Sequence, residues 1–308
     1  IVEKKIMFGT ALRSPFDVEK SALYIENLGF DIIGCGEHVS FYGETANSFI
    51  SLSVASAVTS KVKLMSTITL APLYPAALLA KMGAALDVVS NGRFIMGVGI
   101  GGEFPAEFEA CGVSVKDRAS RTDEALLIVD KLWREVDVTY TGKYANLSNL
   151  GIKPLPIQRP RPPIWVSGRK EAAMRRAAKF GDGWLPYMYT PEQLYESVEK
   201  IKHFGSDIGR DMSDFNFGIY IFTAVNEDSK VANEMAIDCL SKQYSQDFSG
   251  LIAKYALAGN SMECSSRLSE YLDAGANYVF MSSACPTSYE DENLNLISKQ
   301  IIPVFREG

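Results

Sequence analysis

Short apolar runs alternate with longer amphipathic stretches along most of this chain, and the alternation predicts repeated strand–helix units. The apolar runs fall at residues 6–9, 30–34, 62–69, 94–98, 164–166, 184–185, 217–225 and 278–281. Stretches with helical spacing lie near them at 18–28, 49–59, 76–89, 121–133, 171–180, 191–204, 229–244 and 294–305. Several strand runs, such as Ile32-Ile33 and Phe94-Ile95-Met96, are apolar on consecutive positions. That is expected of strands covered on both faces, as in a parallel sheet wrapped by helices.

Eight such strands in order predict an α/β fold closed on itself, a single (β/α)8 or TIM barrel spanning residues 1–308. One connection breaks the rhythm. Residues 134–163, between strands four and five, carry Pro154, Pro156, Pro160, Pro162 and Pro163, too many for a helix or a central strand. Because the strand–helix pattern resumes after it, the segment reads as an insertion over the barrel mouth rather than a linker between domains.

Composition narrows the function. The chain has 308 residues, 47% hydrophobic and 22% charged, enough to bury a core without metals or disulfides. The net charge of -6 comes without any run of basic residues, so nucleic acid is not an expected partner. The longest apolar stretch, residues 68–80, is interrupted by Thr69, Pro72, Tyr74 and Pro75, so no membrane span is expected. The start, Ile1-Val2-Glu3-Lys4-Lys5, lacks the pattern of a secretory signal, and a cytoplasmic address is expected. Five scattered cysteines form no Cys-x-x-Cys pair, which points to free thiols and no metal site.

In a barrel the chemistry belongs to the loops that follow the strands. Glu37-His38 follows the second strand, and His38 and His203 are the only histidines. His38 is the candidate proton carrier, whereas His203 beside Lys202 reads as surface. After strand four comes Gly97-Val98-Gly99-Ile100-Gly101-Gly102-Glu103. It formally matches Gly-x-Gly-x-x-Gly, so a nicotinamide-dependent dehydrogenase stays open as an alternative, although a dinucleotide fingerprint normally sits on the first strand of its domain. Close backbone approach at a crowded barrel mouth explains the same glycines. After strand five, Ser167-Gly168-Arg169-Lys170 runs into a helix, a turn with free amides and two cations that suits a phosphate. Tyr42, Tyr74, Trp184, Tyr187 and Tyr189 are candidates to line the mouth.

Four segments in order make the chain resemble the luciferase-like flavin-dependent oxidoreductases. They are Leu28-Gly29-Phe30-Asp31 with Gly36-Glu37-His38-Val39; Ser66-Thr67-Ile68-Thr69-Leu70-Ala71-Pro72; residues 86–101 with Glu107-Phe108-Glu109-Ala110-Cys111-Gly112; and Pro162-Pro163-Ile164-Trp165-Val166-Ser167-Gly168 with Gly181-Asp182-Gly183-Trp184. The resemblance implies a non-covalently bound isoalloxazine-type cofactor, FMN or the deazaflavin F420, and an oxygenating or hydride-transferring reaction on a small organic molecule. It places a cis peptide at Thr67-Ile68 behind the ring, Glu37 and His38 near the reactive side with Glu103 as a further acidic position, and Ser167, Gly168 and Arg169 at the phosphate. Gly99, Gly101 and Trp184 complete the implied cofactor contacts, and a homodimer is the implied assembly. A non-catalytic flavin-binding protein is the remaining alternative.

Overall fold

The computed structural model describes residues 4–306, so the reading of the first residues, Ile1 to Glu3, lies outside it. The strands are β1 (Met7–Ala11), β2 (Ile32–Cys35), β3 (Lys63–Ser66), β4 (Thr69–Leu70), β5 (Phe94–Gly99), β6 (Val138–Thr141), β7 (Asn146–Leu150), β8 (Ile164–Val166), β9 (Gly183–Trp184), β10 (Asn216–Val225), β11 (Ala256–Gly259) and β12 (Tyr278–Ser283). Eight of them pair in parallel around a closed ring, in the order β12, β1, β2, β3, β5, β8, β9, β10 and back to β12. The expected (β/α)8 barrel is therefore the fold.

Side-chain volume explains the closure. Ile32, Met65, Ile95, Trp165, Leu185 and Phe280 form one buried cluster inside the ring, while a larger apolar layer lies between strands and helices. Trp165 is 1% exposed, and a Cβ at Gly183 or Gly218 would come within 2.4 or 2.9 Å of its ring. Glycine on the neighbouring strands makes the room that this indole fills.

The run at residues 62–69 is not one strand. It breaks after Ser66, and Thr69-Leu70 resumes the pairing with Val98-Gly99 of β5. Among the elements that escaped the sequence pattern, two lie between β10 and β12. β11, Ala-Leu-Ala-Gly, has small residues with little strand preference, yet it pairs with the upper half of β10. The helix Ser261–Asp273 buries only Cys264, Leu268 and Tyr271, a sparse stripe among serines. The expected helix at 294–305 is broken into an α segment (Glu290–Leu296), a π segment (Ile297–Ile301) and a 3-10 turn (Ile302–Phe305), where Pro303 has no amide to donate.

The insertion does not cover the mouth. Its β6–β7 hairpin is held against the helix Arg118–Arg134, where Glu124 accepts from the amides of Lys143, Tyr144 and Ala145. Its proline-rich return runs past the opposite, strand-entry end. There the buried Asp87 carboxylate accepts from Ile157 N at 2.7 Å and Gln158 N at 3.0 Å, and Gln158 Nε2 donates to the Phe94 carbonyl that opens β5. Prolines suit this path because it needs no ladder of amide donors. The barrel mouth is left to the loops after the strands.

Candidate active site

His38 follows β2, and its ring is oriented by a residue that the sequence reading left without a role. Nδ1 lies 3.1 and 3.2 Å from the two oxygens of Glu107, and the same carboxylate accepts from the Val39 amide at 3.0 Å. Glu107 sits in the short helix Pro105–Ala110 after β5 and is 1% exposed. A carboxylate accepts, so the hydrogen resides on Nδ1, and Nε2 has no partner among the described residues. Phe41 stacks on the imidazole with ring centroids 4.2 Å apart. Nothing in the spacing of residues 38 and 107 signals the pair; only the packing of two loops brings it together.

Glu37 points elsewhere. One oxygen accepts from the Leu70 amide at 2.9 Å, and the other accepts from Ser48 Oγ at 2.7 Å and from the Tyr74 hydroxyl at 3.1 Å. It is 8% exposed and ties the loop after β2, the start of the helix Ser48–Val58 and β4 to one another. The expected acidic–histidine pair thus separates in space: Glu107, not Glu37, holds His38. Tyr74 serves the same bracket, and burial, followed by the nearby Glu37 charge, raises its hydroxyl above the ordinary tyrosine range.

Between these residues runs the Thr67–Ile68 bulge, whose peptide is cis, as the resemblance implies. Gly97 and Gly99 back it. A Cβ on Gly97 would lie 2.1 Å from the Ser66 carbonyl oxygen, and one on Gly99 would lie 1.8 Å from Ile68 Cδ1. The glycine run is therefore a support for the bulge. Beyond it Gly101 and Gly102 adopt φ of 57° and 107° and lead into a loop rather than directly into a helix, unlike the glycine turn of a dinucleotide site.

On the far side of β5, β8 ends in the Ser167–Lys170 turn. The Ser167 amide is used by the Val98 carbonyl, and Gly168 has φ of 133°, a conformation that favours glycine. The helix Glu171–Phe180 then starts with no side-chain cap, and its Ala173 amide donates to the Lys170 carbonyl, so the Glu171 and Ala172 amides are left without a partner among the described residues, beside the exposed Arg169 and Lys170. Trp184 is fully buried, and its Nε1 donates to the Gly168 carbonyl at 2.9 Å. Tyr189, 7% exposed, donates to the Arg169 carbonyl at 2.9 Å. Both brace the turn from behind instead of lining the mouth. Glu103 is exposed and accepts from the Tyr187 hydroxyl, while the Arg169 guanidinium lies 4.9 Å from the Tyr187 ring centroid. Tyr42 is 63% exposed. His203 is on the surface, with its side chain 73% exposed.

Among the described residues no group of three His, Cys, Asp or Glu could hold a metal ion, and no helix is long and apolar enough to cross a membrane. All five cysteines are free thiols.

Known proteins share this architecture over nearly the whole chain. The monooxygenase RslO1 from Streptomyces bottropensis superposes with a TM-score of 0.86 at 23% identity, covering 97% of this chain and 100% of that one. An F420-dependent secondary alcohol dehydrogenase in complex with an F420–acetone adduct gives 0.83 at 22% identity, covering 98% and 99%. The F420-dependent tetrahydromethanopterin reductase from Methanopyrus kandleri gives 0.80 at 19%, again covering 98% and 99%. Among curated sequences, the uncharacterized protein y4vJ of Sinorhizobium fredii is 30% identical over 164 residues, 53% of this chain and 46% of that protein. The uncharacterized protein Rv0940c of Mycobacterium tuberculosis is 29% identical over 163 residues, 53% and 55% of the two chains. The matches span about half the length of these curated relatives. Residues 8–284 match the family described as luciferase-like monooxygenase, and the chain belongs to that family.

Proposed function

We propose that this protein is an oxidoreductase that binds an isoalloxazine-type cofactor, F420 in preference to FMN, and interconverts a small alcohol and its carbonyl compound. The observation that carries this reading is the His38–Glu107 pair, with Nδ1 held by a buried carboxylate and Nε2 without a partner among the described residues. That is the arrangement a proton carrier needs at a reacting oxygen. The cofactor assignment is supported by the solved relatives, which include F420-dependent enzymes and an FMN complex.

The residues present fit such a group. The Ser167–Arg169 turn offers uncapped helix amides and cations for a phosphate. The Thr67–Ile68 bulge, backed by Gly97 and Gly99, offers a wall against which a flat ring can lie. Thr67 Oγ1 is buried there without a hydrogen-bond partner, an orphan of the kind that a bound polar group satisfies. When bound, F420 supplies two-electron hydride chemistry. His38 Nε2 takes the hydroxyl proton as an alcohol is oxidised and returns it to the oxygen of a carbonyl in the reverse direction. Glu107 fixes the tautomer and stabilises the imidazolium. Glu37 keeps the bulge in register through Leu70. Phe41 covers one face of the imidazole and limits the approach of water.

The outer faces of the helices Ser48–Val58 and Ala76–Val89 support a homodimer, since Ile50, Leu78 and Val89 are 69%, 49% and 61% exposed. Sedimentation equilibrium measures that directly. The function is tested by titrating the purified protein with F420, FMN and NAD and following cofactor fluorescence. Saturable binding of F420 is expected; preference for reduced FMN with oxygen uptake would replace hydride transfer by oxygenation, and binding of NAD alone would overturn the reading.

A further inference from the structure

One hydrogen bond ties the loops after β5 and β9 to each other, and the turn after β8 lies between them. Tyr187, just past β9, donates to Glu103, just past β5, while β8 pairs with β5 on one side and with β9 on the other. The Tyr187 backbone is pinned to β10, where the Tyr220 amide donates to the Pro186 carbonyl at 2.9 Å. Burial, followed by the bond to Glu103, raises the Tyr187 hydroxyl above its ordinary range, so it stays a donor at neutral pH. Arg169 belongs to the turn between the two loops, and its guanidinium lies over the Tyr187 ring, 4.9 Å from the centroid. Among the described residues this guanidinium forms no ion pair and donates no hydrogen bond. Cations stand on both sides of the Glu103 carboxylate. Arg118 packs against the neighbouring Gly102, where a Cβ would lie 2.7 Å from its Nε, and Arg169 stands across Tyr187. The acid is thereby offset, and Arg169 keeps its donors for an incoming anion.

An exposed arginine spreads over many rotamers, and an anion that binds it must arrest it. A guanidinium already held over an aromatic face is ordered in advance, and its planar fork keeps N–H groups free at the edge. A phenol that donates to a carboxylate gains electron density in its ring, which strengthens the attraction for a cation. In the same turn the Glu171 and Ala172 amides have no partner among the described residues, so side-chain and backbone donors lie side by side. Resting on the cofactor reading above, we infer that Tyr187, anchored by Glu103, is a positioning residue that presents the Arg169 guanidinium to the anionic arm of the bound cofactor. Its contribution passes through Arg169: the ring orders the cation, and the cation receives the anion. Without the ring the turn keeps its amides, but the guanidinium is free to swing into solvent.

The test is a fluorescence titration of the full chain with F420 and with its chromophore lacking the phosphate-bearing arm. FMN and riboflavin, which differ by one phosphate, give the same comparison if the parent prefers them. Arg169→Ala should weaken F420 by about tenfold or more and leave the armless chromophore within a factor of about two. Tyr187→Ala should weaken F420 by roughly threefold to tenfold, again sparing the armless chromophore. In the Arg169→Ala background the same Tyr187→Ala change should alter F420 affinity by less than about twofold, the mark of one residue acting through another. Tyr187→Phe keeps the ring and should stay within about threefold of the parent. Arg169 is exposed, so its variant keeps the fold, and a thermal melt checks each of the others. Tyr187→Ala weakening both ligands equally, or costing as much without Arg169 as with it, would overturn the inference while leaving the cofactor reading in place. Binding of neither F420 nor FMN by the parent would overturn the cofactor reading, and this inference with it.

Discussion

His38 Nδ1 and Glu107 Oε1 lie 3.1 Å apart although 69 residues separate them in the chain. The contact joins the loop after β2 to the helix after β5, and it orients the imidazole of a histidine at a strand end. Glu107 is buried and its carboxylate accepts from Nδ1, which fixes the tautomer. His38→Ala should lower kcat by about 10²-fold or more with little change in cofactor affinity. Glu107→Gln can keep the packing while losing the charge. It should lower kcat by about tenfold to a hundredfold and alter the pH profile of kcat, a change that a purely structural role would not produce. Steady-state kinetics across pH, with cofactor affinity measured alongside, checks both.

Gly97 and Gly99 should respond differently to the same substitution. Gly97→Ala sets a methyl 2.1 Å from a backbone carbonyl, which cannot move without disturbing β3, so a loss of about 2–4 kcal/mol in stability is expected. Gly99→Ala meets the tip of the Ile68 side chain, which can rotate. Its melting temperature should stay within a few degrees of the parent while cofactor affinity falls, because Ile68 is pushed out of the bulge. Differential scanning calorimetry and a cofactor titration separate the two outcomes.

The insertion is fastened by a buried acid. Asp87 is fully buried and accepts three hydrogen bonds from Ile157 and Gln158. Asp87→Ala leaves those donors unpaired, and a destabilisation of about 2–4 kcal/mol is expected in chemical denaturation. The loops that carry His38 and Glu107 lie at the other end of the barrel, so kcat of the folded fraction should be unchanged.

Glu26 sets an acid limit on stability. Burial pushes its carboxyl up, but the amides of Val62, Lys61 and Ser60 together hold it below the ordinary range. With the folded value depressed, its contribution is present above the unfolded value of roughly 4.3 and is lost as pH falls through the folded one. The difference in melting temperature between the parent and Glu26→Gln should be clear at pH 6 and shrink toward pH 3. A constant difference would contradict this account.

Much of the barrel was legible because its signals are local. The apolar runs at β1, β2, β5, β8, β10 and β12 announce covered strands, and the Ser167–Lys170 turn announces a helix start. Gly97 and Gly99 were legible as close-approach positions, though what approaches them, the Ser66 carbonyl and the Ile68 side chain, was not. Glu107 was hidden because its partner is set by the packing of two loops, and Glu37, adjacent to His38 in sequence, drew the assignment instead. Trp184 looked like a mouth residue because it ends a strand; its indole turns inward to the Gly168 carbonyl. The path of the insertion was not legible, since prolines exclude helix and sheet but do not say which end of a barrel they cross. β11 was missed because one leucine among two alanines and a glycine carries almost no periodicity.

One assay decides whether this mouth holds an isoalloxazine-type cofactor and moves a proton through His38. Oxidised F420 is mixed with the protein and 1-phenylethanol, and cofactor reduction is followed by absorbance for the parent and for His38→Ala. Reduction by the parent is expected, with a loss of about 10²-fold or more in the variant and F420 still bound. Failure of the parent to bind F420 or FMN, or equal rates with and without His38, would contradict it.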